Sequence, residues 1–359
     1  MTPPSLGIAL RRGPVGQLVQ QARSLHDAGL DTLWIADHIT GFPVDAPVFE
    51  PFTALAALSG AVPGRQLGVA VTDAFRRNPA VLAQQAMTVQ AMTGAPLLLG
   101  IGSGEAMNLA PYGIARERPL ARLRDTVRAL RALGTSSIDR PVTLDGEGVR
   151  LRDAYLQQPA GARPPQILLG TNGPRGKRLV GEIADGWLPI MLTPELLRED
   201  VAGIRRAAET AGRDPAGIRV VYHAYLAVAD DRAAGLRMVA GGLTSVLLGF
   251  PHLAERLGAA VSRDFDWGLL EVTSDVARRI DDAAARIPDE VVRRVAVYGS
   301  PSECAETIAE YADAGATDII FRTVNPLDEL TDALRAVARA VRGASGGTRA
   351  EGPSREGRG

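Results

Sequence analysis

Short apolar runs alternate with longer segments of helical hydrophobic spacing along most of the chain. The first run, Leu6–Leu10, is followed by Val15–Ala28, in which Leu18, Ala22 and Leu25 recur on one helical face. Short buried strands that each lead into an amphipathic helix are typical of parallel sheets. The pattern therefore predicts a series of repeated strand–helix units.

Eight such units are predicted. The strands are Leu6–Leu10, Thr32–Ala36, Gln66–Val71, Pro96–Ile101, Gln166–Gly170, Gly186–Met191, Ile218–Val228 and Asp318–Phe321. The helices are Val15–Ala28, Phe52–Ala61, Ala80–Met92, Leu120–Leu133, Pro174–Ala184, Pro194–Ala211, Pro301–Ala314 and Leu327–Val341. Eight alternations favour an α/β fold of the closed (β/α)8 TIM barrel type over an open sheet.

Two segments interrupt this alternation and one follows it. Gly134–Pro165 contains PVTLDGEGVRL, which predicts a β-hairpin that folds over one end of the barrel. Asp230–Arg294 is helical and longer than one crossover needs, so we expect a second insertion there. Gly343–Gly359 has almost no apolar residue and is expected to be disordered. The expected organisation is one barrel domain over residues 1–342 with insertions near 134–165 and 230–294.

Composition removes several classes of protein. The 359 residues carry a formal charge of −1, which is no signature of nucleic-acid binding. Cys304 is the sole cysteine, and no histidine pair has metal-ligand spacing, so no disulfide or metal is expected. The N-terminal stretch lacks the apolar region of a signal peptide, and no segment reaches the ~18 apolar residues of a membrane span. The sequence therefore predicts a cytoplasmic protein with neither a membrane nor a nucleic-acid partner.

Polar residues gather where four of the predicted strands end. In a barrel the carboxyl ends of the strands surround one mouth, where these folds place their chemistry. The residues are Asp37 and His38 after the second strand, Thr72 and Asp73 after the third, Ser103, Glu105 and Asn108 after the fourth, and Thr171 and Asn172 after the fifth. We therefore expect one polar site built from four strand ends.

The stretch Leu97–Asn108, LLLGIGSGEAMN, is the most distinctive of these strand ends. Its three glycines allow backbone or ligand to approach closely just ahead of Glu105. A glycine-rich strand-to-helix turn with a solvated acid is the alternative interpretation. A lone histidine is more often structural, but His38 beside Asp37 is a candidate for proton transfer. Asp73 can equally cap the segment that follows it. His38 and Glu105 are the candidate catalytic residues.

Five segments together resemble the bacterial luciferase-like superfamily of flavin- and deazaflavin-dependent oxidoreductases. The segments are TLWIADH, AVTDAFRRNPAVLAQQ, LLLGIGSGEAMN, ILLGTNGPRGKRLVGEIADGW and YGSPSECAETIAEYADAGATDIIF. The resemblance runs from about Leu6 to Phe321. It is strongest to the branch that uses coenzyme F420, which includes glucose-6-phosphate dehydrogenases and methylenetetrahydromethanopterin reductases.

The resemblance implies roles for the matching positions. His38 would lie near the reactive carbon of the deazaflavin, and Glu105 would supply or accept a proton. Val69 and Ala70 match a bulge that supports the ring, so the resemblance predicts a cis peptide bond between them. The positions implied to contact the cofactor are Asp37, Val69, Ala70, Thr72, Glu105, Asn108, Thr171, Asn172 and Gly173.

The implied substrate positions are Phe42, Ile190 and Thr193. Phe42 falls where some relatives place an aromatic side chain of the substrate site. The sugar-phosphate dehydrogenases carry a lysine shortly after their DGW-like motif, whereas the matching stretch Pro189–Pro194 has no positive charge. A less polar substrate, or one held by the two insertions, therefore fits better than a phosphorylated sugar.

The resemblance implies an F420-dependent oxidoreductase that transfers a hydride between the deazaflavin and a small organic substrate. The alternative is an FMN-dependent monooxygenase, in which reduced flavin activates oxygen. A non-catalytic flavin-binding barrel is a third hypothesis, which the retention of Asp37, His38 and Glu105 disfavours. The resemblance also implies a homodimer.

Overall fold

The computed structural model describes residues 3–10, 15–41, 47–159 and 162–346, which form eleven strands and twelve α-helices. The strands are β1 (Ser5–Ala9), β2 (Thr32–Ile35), β3 (Gln66–Asp73), β4 (Leu98–Gly102), β5 (Val142–Asp145), β6 (Arg150–Ala154), β7 (Gln166–Gly170), β8 (Gly186–Trp187), β9 (Arg219–Val228), β10 (Ala296–Gly299) and β11 (Asp318–Thr323). The helices are α1 (Val15–Asp27), α2 (Pro51–Ala61), α3 (Pro79–Thr93), α4 (Pro119–Leu133), α5 (Pro174–Ile183), α6 (Pro194–Thr210), α7 (Arg232–Leu247), α8 (Pro251–Arg256), α9 (Ser274–Ala284), α10 (Asp289–Val295), α11 (Pro301–Asp313) and α12 (Leu330–Gly346).

Eight of the strands close into a parallel barrel. The order is β1, β2, β3, β4, β7, β8, β9 and β11, and β11 pairs back with β1. The helices surround this sheet, so the predicted (β/α)8 TIM barrel is confirmed. All eight predicted strands are present, β7 with the predicted ends and the other seven with shifted ends. The shift is largest for β8, where only Gly186–Trp187 is regular and a single bridge joins Ile190 to His223.

One strand, β10, was not predicted. It pairs with residues 225–228 of β9, on a stretch that β8 does not reach because β8 pairs only with Arg219 and Val220. The sequence offers no boundary here, since α10 ends at Val295 and β10 begins at Ala296 with no glycine or proline between them. A continuous apolar run therefore hides a change from helix to strand.

The predicted hairpin is confirmed, because β5 and β6 pair antiparallel. Its turn contacts the first half of α4, where the backbone N–H of Gly148 donates to Asp125 at 2.8 Å. The segment after β6 contacts the other end of this helix, where Gln158 Nε2 donates to the carbonyl of Leu133 at 2.9 Å. The hairpin thus lies along a barrel helix, and the expectation that it folds over one end of the barrel is wrong.

The second insertion, between β9 and β10, consists of α7 to α10 and a 3-10 turn, Arg263–Phe265. The carbonyl of Trp267 accepts a hydrogen bond of 2.8 Å from the backbone N–H of Ala106. This contact fastens the insertion to the loop after β4, beside the barrel mouth. Within the described ranges, no helix is both long enough and apolar enough to cross a membrane.

The last helix runs further than predicted. α12 continues through Gly346, so the first residues assigned to a disordered tail are helical. No proline interrupts this part of the sequence, and Gly343 meets no neighbouring side chain that would disfavour a helix. The remainder of the predicted tail, residues 347–359, lies outside the described residues.

Candidate active site

Three of the predicted site residues meet where β2 and β4 end. His38 follows β2, whereas Glu105 and Asn108 lie in the turn and short 3-10 helix after β4. The Nδ2 atom of Asn108 is 3.1 Å from His38 Nδ1 and 3.1 Å from Glu105 Oε2, and those two atoms are 3.4 Å apart. We call these three residues the imidazole cluster. It joins an ionisable ring and a carboxylate through a neutral amide.

The two ionisable members of the imidazole cluster are accessible. The side chains of His38 and Glu105 are 18% and 27% exposed, whereas Asn108 is 2% exposed. The carboxyl ends of barrel strands surround the mouth in which such folds bind their ligands. An accessible imidazole and carboxylate within hydrogen-bonding reach of each other are suited to giving and taking protons.

A second group of polar residues lies beside the first and is closed. The Arg76 guanidinium bridges two carboxylates, with Nη1 3.0 Å from Asp37 Oδ1 and Nε bonded to Asp73 Oδ2. Arg77 bonds to the other oxygen of Asp37 and donates from Nη2 to Glu50 Oε1 at 2.7 Å. We call Asp37, Asp73, Arg76, Arg77 and Glu50 the ion network.

Burial and pairing act together in the ion network. The side chains of Asp37 and Asp73 are 2% and 7% exposed, and those of Arg76 and Arg77 are 9% and 14% exposed. Burial disfavours the charge of Arg77, but the carboxylates of Asp37 and Glu50 outweigh it and raise the pKa of the guanidinium. Both arginines remain paired cations that tie the end of β2 to the segment after β3.

Two implied cofactor contacts are held by the arginines of this ion network. Both carboxylate oxygens of Asp37 are bonded to arginines, and the hydroxyl of Thr72 accepts a hydrogen bond of 3.2 Å from Arg77 Nη1. Asp73 accepts from the backbone N–H groups of Phe75 and Arg76 at 2.7 and 2.8 Å, which confirms the capping alternative. The arginine pair in the RRNP sequence after β3 was the signal that sequence reasoning passed over.

The irregular part of β3 lies one residue beyond the predicted position. Val69 pairs with Leu99 and Thr72 with Ile101, so two residues of β3, Ala70 and Val71, stand opposite one residue of β4. The cis peptide bond joins Ala70 to Val71, and the predicted position, Val69–Ala70, is therefore wrong by one residue. The bulge begins after the pair of Val69 with Leu99, and nothing in the sequence marks this pair as the last regular one.

The glycines of β4 and β7 accommodate this bulge. A Cβ added at Gly100 would lie 2.9 Å from a methyl group of Val71, and the corresponding distances are 3.1 Å at Gly102 and 3.0 Å at Gly170. Real Cβ atoms rarely approach so closely, so these positions need glycine for packing. The sequence analysis allowed for backbone or ligand as the neighbour. Backbone is confirmed at Gly100, where a Cβ would meet the carbonyl oxygen of Val69, and the Val71 side chain is a neighbour of all three glycines.

The strand end of β7 offers an uncapped helix N-terminus. Thr171 packs against Gly176 of α5, so its side chain faces that helix, and Asn172 is half-buried. Gly173 is the N-cap residue of α5 with no side-chain hydrogen bond to the helix, and a Cβ there would meet no atom. Free N–H groups at such an end can hold a phosphate.

Three further polar residues line the interior opposite the imidazole cluster. Val221 and Ile320 belong to the group of side chains buried inside the barrel, and residues two positions apart on a strand share a face. His223, Tyr225 and Arg322 therefore point inward as well, with the Arg322 guanidinium 5.4 Å from the Tyr225 ring centre. Sequence reasoning missed them because it judged histidines by spacing along the chain and not by strand alternation.

His223 is a neutral group in this position. Burial first, and the charge of Arg322 second, lower the pKa of its imidazole to about 3. Its Nε2 atom is buried and has no hydrogen-bond partner among the described residues. A buried polar atom without a partner is costly, and a ligand in the mouth is one way to satisfy it.

The implied substrate residues are placed unevenly. Ile190 is half-buried and bridges to His223 on the barrel wall. Thr193 is the N-cap of α6, and its hydroxyl accepts from the backbone N–H of Leu196 at 3.3 Å, so this side chain serves the helix. Phe42 lies outside the described residues. Within those ranges no group of three metal-ligating side chains occurs, so no metal site is indicated there.

Comparison with known proteins places this architecture among enzymes. Residues 2–318 match the family model described as luciferase-like monooxygenase. The phthiodiolone/phenolphthiodiolone dimycocerosates ketoreductase of Mycobacterium kansasii is 33% identical over 325 residues, which cover 80% of this chain and 85% of that protein. The 5,10-methylenetetrahydromethanopterin reductase of Methanolobus tindarius is 27% identical over 308 residues, covering 86% of this chain and 90% of the reductase.

A solved structure shares the fold. The F420-dependent secondary alcohol dehydrogenase in complex with an F420–acetone adduct aligns with a TM-score of 0.77 at 21% identity, over 95% of this chain and 100% of that chain. At this identity the likeness concerns the barrel and its insertions, while the chemistry has to be argued from the residues described above.

Proposed function

The chain belongs to the luciferase-like monooxygenase family, and we propose that it is an F420-dependent oxidoreductase that transfers a hydride between the deazaflavin and a ketone or the corresponding secondary alcohol. The observation that carries the proposal is the imidazole cluster. An accessible histidine and glutamate, joined by one asparagine, stand at the barrel mouth. A ketone that receives a hydride also needs a proton on its oxygen, and the imidazole of this cluster is able to give one.

The residues present fit a cofactor with a polar ring and a phosphate. The uncapped N-terminus of α5 at Gly173 has open space where the phosphate would be held. The buried Nε2 of His223 can receive or donate a hydrogen bond that the protein itself does not provide. When bound, coenzyme F420 would supply the carbon that gives or takes the hydride.

The protein would supply proton transfer and position. Asn108 Nδ2 lies 3.1 Å from His38 Nδ1, so the amide orients the ring and leaves the other ring nitrogen, Nε2, to face a ligand. Glu105 accepts from the same amide, so its carboxylate is held next to the ring while it stays accessible. His38 would then give a proton to a substrate oxygen, or take one in the reverse direction, with Glu105 stabilising the charged ring.

The substrate class follows from what the mouth lacks. Lys177 is the only lysine of the chain, and its ammonium group is bonded to Asp200, whose other oxygen is 2.7 Å from Arg256 Nη1. No free lysine is therefore present for a sugar phosphate. The insertion beside the mouth buries aromatic and aliphatic groups such as Phe265, Trp267 and Leu270. These side chains belong to the hydrophobic core, so the ketone is proposed from the name of the Mycobacterium kansasii relative, a ketoreductase.

The test is a pair of assays with the full chain. Oxidised F420 is mixed with a series of secondary alcohols, and reduced F420 with the matching ketones, while the deazaflavin absorbance is followed. We expect turnover that rises with the apolar surface of the substrate. Turnover only with reduced FMN and oxygen would replace the proposal by the monooxygenase alternative, and cofactor binding without any turnover would favour a non-catalytic barrel.

The expected oligomeric state and the expected location in the cell remain predictions. The resemblance implies a homodimer, which light scattering coupled to gel filtration tests directly. A cytoplasmic location is expected from the sequence, and fractionation of the producing cells tests it.

A further inference from the structure

The carboxamide of Asn108 uses its whole hydrogen-bonding capacity within the protein. Its Oδ1 accepts from the backbone N–H groups of Ile39 and Thr40 at 2.7 and 3.0 Å. Its Nδ2 donates to His38 Nδ1 and Glu105 Oε2, both at 3.1 Å. A primary amide has two acceptor sites and two donor hydrogens, and all four are occupied in a side chain that is 2% exposed.

The two backbone amides fix which way the carboxamide points. If the group were turned over, its NH2 would face the N–H groups of Ile39 and Thr40, and donors would oppose donors. The Nδ2 atom must therefore face His38. Because Nδ2 can only donate, a hydrogen bond from it at 3.1 Å makes His38 Nδ1 the acceptor, and a neutral imidazole that accepts at Nδ1 carries its proton at Nε2. The carboxylate of Glu105, with Oε2 3.4 Å from the same Nδ1, favours the opposite tautomer, so the shorter bond from the amide has to outweigh it.

We propose that Asn108 is a positioning residue, which selects the Nε2–H tautomer of His38 and holds Glu105 beside it, and that its side chain makes no hydrogen bond to the cofactor. The role in proton transfer rests on the proposed function, whereas the selected tautomer rests on the hydrogen bonds alone. It changes the role that the family resemblance implies for Asn108, from a contact of the cofactor to a support of the two proton-transfer groups.

The consequence for the reaction is one of proton placement. A ring held as the Nε2–H tautomer offers a hydrogen-bond donor on the side away from Asn108, whereas the other tautomer would offer only a lone pair there. Reduction of a ketone needs a donor at the substrate oxygen. Loss of Asn108 should therefore lower turnover while the affinity for the cofactor stays close to that of the wild type.

The decisive variant is Asn108→Asp. It keeps an oxygen for the amides of Ile39 and Thr40 but replaces the donor that faces His38 by an acceptor. The expected result is a change of the neutral ring to the Nδ1–H tautomer, seen by ¹⁵N–¹H correlation spectra of the full chain labelled at histidine without cofactor. The signals of His38 are identified by their loss in His38→Gln.

The matched control is Thr40→Val. Thr40 lies in the same loop and donates from Oγ1 to the carbonyl of Met107 at 3.1 Å, and this side-chain hydrogen bond does not involve a member of the imidazole cluster. This variant loses a loop hydrogen bond of similar kind and should leave the His38 tautomer unchanged. Asn108→Ser provides a second variant in case Asn108→Asp does not fold, and it too should lose the preference for Nε2–H.

A wild-type His38 that carries its proton at Nδ1, or an Asn108→Asp variant with an unchanged tautomer, would overturn the inference. A fall in F420 affinity as large as the fall in kcat would also overturn it, because that would mark a cofactor contact. We expect kcat to fall by about 10²–10⁴-fold, the usual loss for a misplaced proton-transfer group. Since the tautomer is measured without cofactor, a failure of F420 to bind would count against the proposed function alone.

Discussion

Two groups of polar side chains lie side by side at the ends of β2 and the neighbouring strands, and they differ in almost every physical respect. The ion network is built of full charges that are paired and 2–14% exposed in its four central residues. The imidazole cluster has one imidazole and one carboxylate, 18% and 27% exposed, with a neutral amide between them. Asp37 and His38 are neighbours in the chain, yet they belong to different groups.

This difference separates a role in folding from a role in chemistry. A closed set of charges ties strand ends together, and removal of one partner leaves another charge buried and unpaired. An accessible pair of ionisable groups adds little to stability but can exchange protons with a ligand. Substitutions in the two groups should therefore affect different quantities, and the following predictions test that separation.

The largest effect is expected from the imidazole cluster. His38→Ala and Glu105→Gln should each lower turnover by about 10²–10⁴-fold, because each removes a proton-transfer group. The melting temperature and the affinity for F420 should stay close to those of the wild type. Steady-state kinetics and thermal unfolding of the same preparations measure both quantities. Near-normal turnover in both variants would show that the site is misplaced.

The ion network should respond in the opposite way. Arg76→Met removes the partner shared by two buried carboxylates, so the free energy of unfolding should fall by about 3–5 kcal/mol. Urea unfolding of the apoprotein measures it. The control is Arg178→Met on the outside of α5, where the pair with Glu182 is exposed and the change should be about 1 kcal/mol or less. Equal losses in the two variants would contradict the distinction between closed and open groups.

The contact between Gly102 and Val71 gives a smaller and more local effect. Gly102→Ala places a Cβ 3.1 Å from Val71, and such overpacking should cost about 1–3 kcal/mol of stability. Val71→Ala in the same chain should restore part of that loss, since it removes the opposing methyl groups. Gly173→Ala, which meets open space, is the matched control and should lose only the preference of a helix N-cap for glycine over alanine. If Val71→Ala and Gly102→Ala are simply additive in urea unfolding, the proposed contact is absent.

The last effect appears only on acidification and concerns the opposite wall of the barrel. The pKa of His223 is lowered to about 3, whereas the unfolded chain has the ordinary value of 6.5. Between these values the unfolded state binds the extra proton, so this group makes stability rise with pH in that window. The loss on acidification should be at most about 1.4 kcal/mol per pH unit.

The substitution His223→Gln checks this expectation. The variant should lose less stability than the wild type when the pH is lowered from 6.5 toward 4, as followed by thermal unfolding. His26→Gln on the outer surface of α1 is the control, because it leaves His223 in place. Parallel pH curves for His223→Gln and the wild type would contradict the assignment.

The fold could be predicted because its signals are local. The strand Thr32–Ile35 consists of four consecutive buried residues, and each helix has its own apolar face. β10 escaped because its apolar run continues from α10 without a boundary. The predicted position of the cis bond was wrong by one residue because a bulge depends on how β3 pairs with β4. The sequence of one strand alone does not determine that register.

The candidate site was predicted only in part, for a similar reason. His38, Glu105 and Asn108 do meet, since strand ends in a barrel share a mouth. The roles of Asp37 and Thr72 could not be foreseen, because they depend on Arg76 and Arg77, which reach back from the segment after β3. Thr193 caps α6, because the proline that follows it is the first residue of that helix.

The central claim is that the imidazole cluster transfers protons in a reaction whose hydride is carried by a deazaflavin. The most direct measurement is a pair of fluorescence titrations of the wild-type chain, one with coenzyme F420 and one with FMN, under the same conditions. The account predicts that F420 binds more tightly than FMN and that His38→Ala leaves the F420 curve nearly unchanged. Micromolar or tighter binding of FMN together with no binding of F420 would contradict it.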